Sequence, residues 1–362
     1  MIKYLGSKRV LVPVLGDIAS AVGARTAVDL FTGTTRVAQE FKRRGIYVTA
    51  ADVATYSDTL ARCYIETDAS EVDEGELRAI LSRLEGLPGK VGYFTETFCE
   101  QSRFFHPKNG QRVDAIREVL ETDYRNHPLF PVLLTSLMLA ADRVDSTTGV
   151  QMAYLKQWAP RAHNDLELRV PELLPGTGRS VLGDITDIAD SLPDADLAYL
   201  DPPYNQHRYF TNYHIWETLV RWDQPEHYGV ACKRIDSRDD STKSVFNKRR
   251  EMAPALERVI KATRAEVVVV SYNDESWITA EQMMMSLAGA GHEEVQMLAF
   301  DSKRYVGAQI GIFNPSGQRV GKVSHLRNVE WVFVAGPREL VRLAAEAAHV
   351  QTAGASAEAT LF

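Results

Sequence analysis

Apolar and polar positions along the chain fall into two rhythms separated by a break. Thr26 to Phe31 (TAVDLF) is a short apolar run closed by a turn at Thr32 to Thr34, which predicts a buried strand. From Arg36 to Arg44, Val37, Ala38 and Phe41 recur at helical spacing, and Gly45 stands where a left-handed residue closes a helix. Ile46 to Ala51 predicts a second strand ending at Asp52, and a second helical pattern runs from Ala54 to Glu66. Strand, glycine turn, helix, strand and terminal acid form the first half of a dinucleotide-type α/β sheet.

The rhythm then changes. From Asp68 to Pro175, helical patterns at Glu76–Leu84, Val113–Glu121 and Pro131–Ala141 are separated by irregular segments rich in glycine, proline and aromatic residues. Alternation resumes with candidate strands at Ser180–Leu182, Leu197–Leu200, Glu266–Ser271 and Glu294–Phe300. A pair at Ala308–Phe313 and Glu330–Ala335 reads as a closing hairpin. The expected fold class is α/β: a Rossmann-like sheet built from residues 1–67 and 180–343, interrupted by a mainly helical insertion over 68–179. Residues 344–362, rich in Ala, Ser and Thr, show no stable pattern and read as a disordered tail.

Composition narrows the class. The 362 residues are 45% hydrophobic and 25% charged, which excludes collagen-like and disordered chains. The densest apolar stretch, Val132 to Ala141, is too short to span a bilayer and contains Thr135 and Ser136. No apolar segment follows the basic residues of Met1 to Arg9, so no secretion signal is expected. Cys63, Cys99 and Cys232 are too few for a disulfide framework, which fits a reducing cytoplasm. They also lack the Pro-Cys pair expected of carbon-5 cytosine methylation, which needs a thiolate nucleophile. His106, His163, His207, His214 and His227 show no ligand spacing with them, so no metal is expected.

The net charge of −7 argues at first against a polyanionic partner, but the distribution reverses that inference. Lys303 to Asn328 holds five Lys and Arg and no acid, and Lys233 to Arg250 holds seven basic residues against three acids. Gln101 to Arg112 adds three basic residues interleaved with Phe104, Phe105 and His106. One face of an acidic protein could thus carry nucleic acid.

The sharpest chemistry is Asp201-Pro202-Pro203-Tyr204, directly after the apolar run Leu197 to Leu200. Ligands of open α/β sheets bind at the carboxyl ends of strands, where this motif sits. Two prolines stiffen the loop and remove two backbone donors, so it presents carbonyls. An aspartate and a proline carbonyl can together accept both hydrogens of an exocyclic amine, and Tyr204 offers a flat face for a base. The second motif is the turn Asp29-Leu30-Phe31-Thr32-Gly33-Thr34-Thr35, coupled to Asp52 at the end of the next strand. An acid there can bind both hydroxyls of a ribose.

The string from Asp201 to Glu217 (DPPYNQHRYFTNYHIWE) resembles the adenine-specific DNA methyltransferases of the Dam-like class, which use S-adenosylmethionine. Lys3-Tyr4-Leu5-Gly6-Ser7-Lys8 is similar to that class's opening Lys-aromatic-x-Gly-Gly/Ser-Lys element. The class turn is richer in glycine, Phe-x-Gly-x-Gly, and here Thr34 and Thr35 stand where the second glycine would be. The resemblance covers roughly 1–60 and 181–334 and implies that the insertion recognises the target sequence. It implies catalysis by Asp201, Pro202, Pro203 and Tyr204, with the cofactor held by Tyr4, Lys8, Asp29, Phe31, Gly33, Thr34, Asp52, Asp184 and Asp201. Asp184 could equally be a helix N-cap. Double-stranded DNA would meet Tyr204, Asn205, Arg208, Tyr213, Lys248, Arg249, Lys303, Arg304 and Lys322. A cognate restriction endonuclease is the expected partner system, and the enzyme is expected to be a cytoplasmic monomer or weak dimer. An RNA adenine methyltransferase, a protein glutamine methyltransferase and a catalytically silent nucleic-acid scaffold are the alternatives.

Overall fold

The computed structural model describes residues 2, 3, 8, 10–147, 149–203, 208–274, 276–303 and 327–358. Seven strands form the main sheet: β1 (Thr26–Asp29), β2 (Tyr47–Asp52), β3 (Arg179–Leu182), β4 (Ala195–Leu200), β7 (Ala265–Asn273), β8 (Glu294–Lys303) and β9 (Arg327–Gly336). Between β4 and β7 lies a separate two-stranded ribbon, β5 (His227–Tyr228) with β6 (Lys233–Arg234). The sheet order is β3-β2-β1-β4-β7-β9-β8. Strands β3, β2, β1, β4 and β7 pair in parallel, whereas β9 runs antiparallel to both β7 and β8. The order reverses beside β1, so the carboxyl ends of β1, β2 and β4 converge on one crevice.

The central strands read as nearly unbroken apolar runs because both faces are covered. Along β7, Val267 and Val269 pack with Leu15, Ile18 and Phe41 on one face, while Val268 and Val270 pack with Leu256, Ile260 and Leu287 on the other. The helix Arg36–Arg43 returns the chain from β1 to β2 and closes at Gly45, whose φ of +80° is free only for glycine. Its last carbonyls are met by the N–H groups of Gly45 (to Lys42) and Ile46 (to Phe41).

The described elements between Thr67 and β3 are helical, as the sequence predicts; the longest are Glu74–Glu85, Pro107–Asp123 and Phe130–Arg143. Their core is not a separate lobe. Phe94, Phe98, Phe105, Ile116 and Leu137 share one cluster with Tyr56 and Leu60 from the helix after β2 and with Ile215, Trp216 and Leu219 from the helix His214–Arg221.

Two expectations are corrected. The closing partner of Glu330–Ala335 is β8 on one side and β7 on the other, while Ala308–Phe313 lies outside the described residues. Residues 344–358 of the expected tail belong to a helix, Arg338–Glu358. Val341, Ala344, Ala345 and Ala348 are buried in the cluster of Leu15 and Ile18. Their spacing is a helical stripe, and alanine makes it hard to see because its side chain barely contrasts with its neighbours.

Candidate active site

Each of the three converging strands delivers a carboxylate. Asp29 is the last residue of β1, Asp52 the last of β2, and Asp201 follows β4 directly. Asp29 is 1% exposed; it accepts a hydrogen bond from the Thr32 hydroxyl at 2.9 Å, and its Oδ1 has no hydrogen-bond partner among the described residues. Burial pushes its pKa to about 7; the Thr32 bond opposes this, and the charges of Asp201 and Asp52 add to it. Asp52 accepts the N–H groups of Gly33 (2.8 Å) and Ala54 (2.9 Å), which pull against a rise caused by burial.

Those bonds fix the glycine turn. Gly33 has a φ of +52°, and Thr35, where a second glycine was expected, adopts +61° itself. A β-branched residue is strained there. Thr35 is held by its N–H to Thr32 O (2.7 Å), by its hydroxyl to Thr34 O (2.7 Å) and by the Gln39 amide on its hydroxyl (2.8 Å).

Asp201 faces Lys8, whose Nζ lies 3.2 Å from its Oδ1 and 3.0 Å from Glu330 Oε2 on β9. Burial raises the Asp201 pKa to about 6, Lys8 lowers it and Glu330 raises it. Pro202 is buried and Pro203 lines the crevice. Tyr4, Tyr204, Asn205, Arg304 and Lys322 lie outside the described residues, as does the side chain of Lys303 at the end of β8.

The crevice is walled by Phe31, Val53, Ile185, Phe246, Asp52 and Asp201. Phe31 and Phe246 meet edge to face, with ring centroids 5.2 Å apart. Asp184 lines the crevice, and its Oδ1 caps a helical turn through the N–H (2.9 Å) and hydroxyl (2.7 Å) of Thr186, the N-cap alternative read from the sequence. Thr34 is not part of this crevice. It faces a second cleft lined by Arg36, Arg43, Arg143 and Arg169.

The sequence missed the wall formed by Ser241, Thr242, Ser244, Phe246 and Asn247, and missed Arg221 beside it. By charge alone that stretch reads as a candidate DNA-binding segment. Its one clear signal was apolar: Val245-Phe246 interrupts a long polar run, and Phe246 is buried.

Among the described residues, the basic stretches of Lys233–Arg250 and Gln101–Arg112 are largely engaged within the protein. Arg234 is 2% exposed and pairs with Asp223 (2.6 Å) and Asp236 (2.8 Å), which raise its pKa. Lys243 pairs with Asp240 and Lys108 with Asp165, while Arg103 lies over the Trp158 ring. Lys248 reaches Glu251 at 3.3 Å from an exposed position, and Arg208 and Arg249 are also exposed. Tyr213 corrects an expectation: at 1% exposure it is packed against Tyr56 and stacked on Tyr209, so it cannot meet DNA. The cysteines are all buried; burial lifts the Cys63 thiol to about 12, far from a nucleophilic thiolate. No helix among the described residues is long and apolar enough to cross a membrane.

Residues 4–285 match the family described as D12 class N6 adenine-specific DNA methyltransferase. Over 296 residues the chain is 31% identical to the type II methyltransferase M.NlaIII of Neisseria lactamica, covering 77% of this chain and 86% of that protein. It is 28% identical over 320 residues to M.FokI of Planomicrobium okeanokoites, covering 81% of this chain and 47% of that longer relative. It is 27% identical over 285 residues to M.CviAII of Paramecium bursaria Chlorella virus 1, covering 74% and 81%. A strand-end Asp-Pro-Pro-Tyr motif, an acid-closed glycine turn and a match over most of the length agree: the chain belongs to the D12 class of N6 adenine-specific DNA methyltransferases.

Proposed function

We propose that the chain transfers the methyl group of S-adenosylmethionine to the exocyclic N6 amine of an adenine flipped out of double-stranded DNA. The observation that carries this reading is the trio of strand-end carboxylates, all held at raised pKa by burial, two of which, Asp52 and Asp201, line an apolar slot. Carboxylates whose charge burial disfavours gain from a cationic ligand, which stabilises the ionised form. S-adenosylmethionine fits, since it bears a sulfonium and an ammonium. Phe31, Ile185 and Phe246 would flank its adenine ring, and Asp52 retains lone pairs for the ribose hydroxyls beyond those taken by Gly33 and Ala54. Asp29, Gly33, Asp184 and the segment of Tyr4 and Lys8 would complete the pocket.

When bound, the cofactor supplies an electrophilic methyl group. Asp201 and the Pro202 carbonyl accept the two hydrogens of the substrate amine, which aims the nitrogen lone pair, and Tyr204 stacks on the base. Asp201 acts as an acceptor when ionised, so the rate rises with pH through its pKa of about 6.

Asn205, Arg208, Lys248, Arg249, Lys303, Arg304 and Lys322 would hold the duplex, and the insertion would read the target sequence. The enzyme would work in the cytoplasm, as a monomer or weak dimer, marking sites that a cognate endonuclease would otherwise cut. The test supplies tritiated cofactor with duplex DNA, RNA or protein and identifies the product. N6-methyladenine confined to DNA is expected; label in RNA or protein, or 5-methylcytosine, would overturn the reading.

A further inference from the structure

Lys8 is held between two carboxylates, Asp201 after β4 and Glu330 on β9. Its Nζ lies 3.2 Å from Asp201 Oδ1 and 3.0 Å from Glu330 Oε2, and the lysine is only 6% exposed. Glu330 sits opposite Asn273 of β7, outside every motif the sequence offered. An ammonium facing a lone carboxylate closes onto it and occupies the lone pairs that a substrate amine would need. A second carboxylate behind that ammonium competes for it. We propose that Glu330 is a positioning residue for methyl transfer: it draws Lys8 back, so that Asp201 keeps acceptor capacity for the amine. This role rests on the assignment of Asp201 as the group that receives the amine hydrogens.

Among the described residues, the titratable groups facing Asp201 are Lys8 from the N-terminal segment, Glu330 from β9, Asp29 from β1 and Tyr199 from β4. The Tyr199 hydroxyl donates to Ser271 on β7 at 3.0 Å and stays protonated, because burial raises its pKa. Replacing Glu330 by glutamine keeps the shape, removes one negative charge near Asp201 and releases Lys8 toward it. Both effects favour the Asp201 carboxylate. The acid limb of the rate therefore moves to lower pH while the plateau rate falls, a pairing that a general packing defect does not produce.

The experiment measures kcat and both KM values from about pH 5 to 9 for wild type, Glu330→Gln, Glu330→Asp and Asp201→Asn. The same proteins, labelled at aspartate carboxyl carbons, are titrated by NMR without DNA, with Asp201→Asn assigning the signal. For Glu330→Gln the plateau kcat is expected to fall about tenfold, the scale of a lost alignment, with both KM values within about twofold of wild type. Its acid limb and its Asp201 midpoint both move down, and Glu330→Asp returns them toward wild type. If wild type is active and Asp201-dependent while Glu330→Gln keeps its plateau and limb, the positioning role is wrong and the Asp201 assignment stands. Transfer that proceeds without Asp201 overturns the assignment and the positioning role together.

Discussion

In the helical insertion, Asp114 is 3% exposed and accepts four hydrogen bonds: the N–H groups of Gly92 (3.1 Å), Phe94 (3.0 Å) and Thr95 (2.8 Å), and the Thr95 hydroxyl (2.6 Å). Arg117 nearby is fully buried, donates to the carbonyls of Leu219 (2.8 Å) and Val220 (3.0 Å), and pairs with Glu121 (2.8 Å). At the carboxyl edge of the sheet, Asp29 is equally buried but has the Thr32 hydroxyl for one oxygen and no hydrogen bond among the described residues for the other. Charge in the insertion is spent joining distant segments, and its removal should loosen the fold. Charge at the sheet edge is held against its own preference, as in a site preorganised for a cation. Burial alone does not separate a structural carboxylate from a functional one; what sets Asp29 apart from Asp114 is an oxygen with no hydrogen-bond donor among the described residues.

The contrast can be tested by opposite signs. Asp201→Ala should reduce methyl transfer at least a thousandfold, about 4 kcal/mol in the barrier, while cofactor affinity changes little. Single-turnover transfer and calorimetry with S-adenosylhomocysteine check the two halves. Asp114→Ala should destabilise the protein by about 3 kcal/mol, because several buried N–H donors lose their acceptor. Urea unfolding measures this, and a loss below about 1 kcal/mol would mean that the insertion's charges are as dispensable as surface ones.

Asp29→Asn should do the reverse and stabilise the protein. The folded pKa of Asp29, about 7, lies above its ordinary value of 3.8, so ionisation favours the unfolded chain. The penalty is absent below about pH 4, grows between there and pH 7, and is complete above. A gain of about 4 kcal/mol is expected at about pH 8 and none near pH 4, accompanied by weaker cofactor binding. Equal melting temperatures at both values would refute the contrast. The smallest effect is expected from Asp52→Asn, which keeps an acceptor for the glycine turn: about tenfold weaker S-adenosylhomocysteine binding, or about 1.4 kcal/mol.

The sheet was legible because its strands are apolar on both faces and its turns carry glycine, acid and proline at fixed places. The placement of Asp29, Gly33, Asp52, Asp184 and Asp201 at the carboxyl ends of strands could be read from the sequence, since each ends a strand or follows one. The rest depended on contacts between distant segments. Glu330 is one acid in an ordinary strand until pairing with β7 brings it to Lys8. Tyr213 sits in the motif string yet faces inward, because local order does not reveal which side of a short helix the core will take. Within the basic run of Lys233 to Arg250, the burial of Arg234 was hidden for a related reason: it finds Asp223, eleven residues upstream, only after the ribbon β5–β6 folds back.

The sheet's topology also sets a schedule for its making. The N–H of Thr26 at the start of β1 bonds Asp196 at the start of β4, 170 residues later in the chain. At ribosomal speeds of about 5–20 residues per second, the two central strands wait roughly 10–30 s for each other. During that interval β1 and β2 can form only a two-stranded parallel pair with an open flank, a template for association with other chains. The insertion emerges in the gap, and its aromatic core closes over Tyr56 and Leu60 of the helix that follows β2. That early closure would leave β1 less time in which an exposed edge could meet a wrong partner.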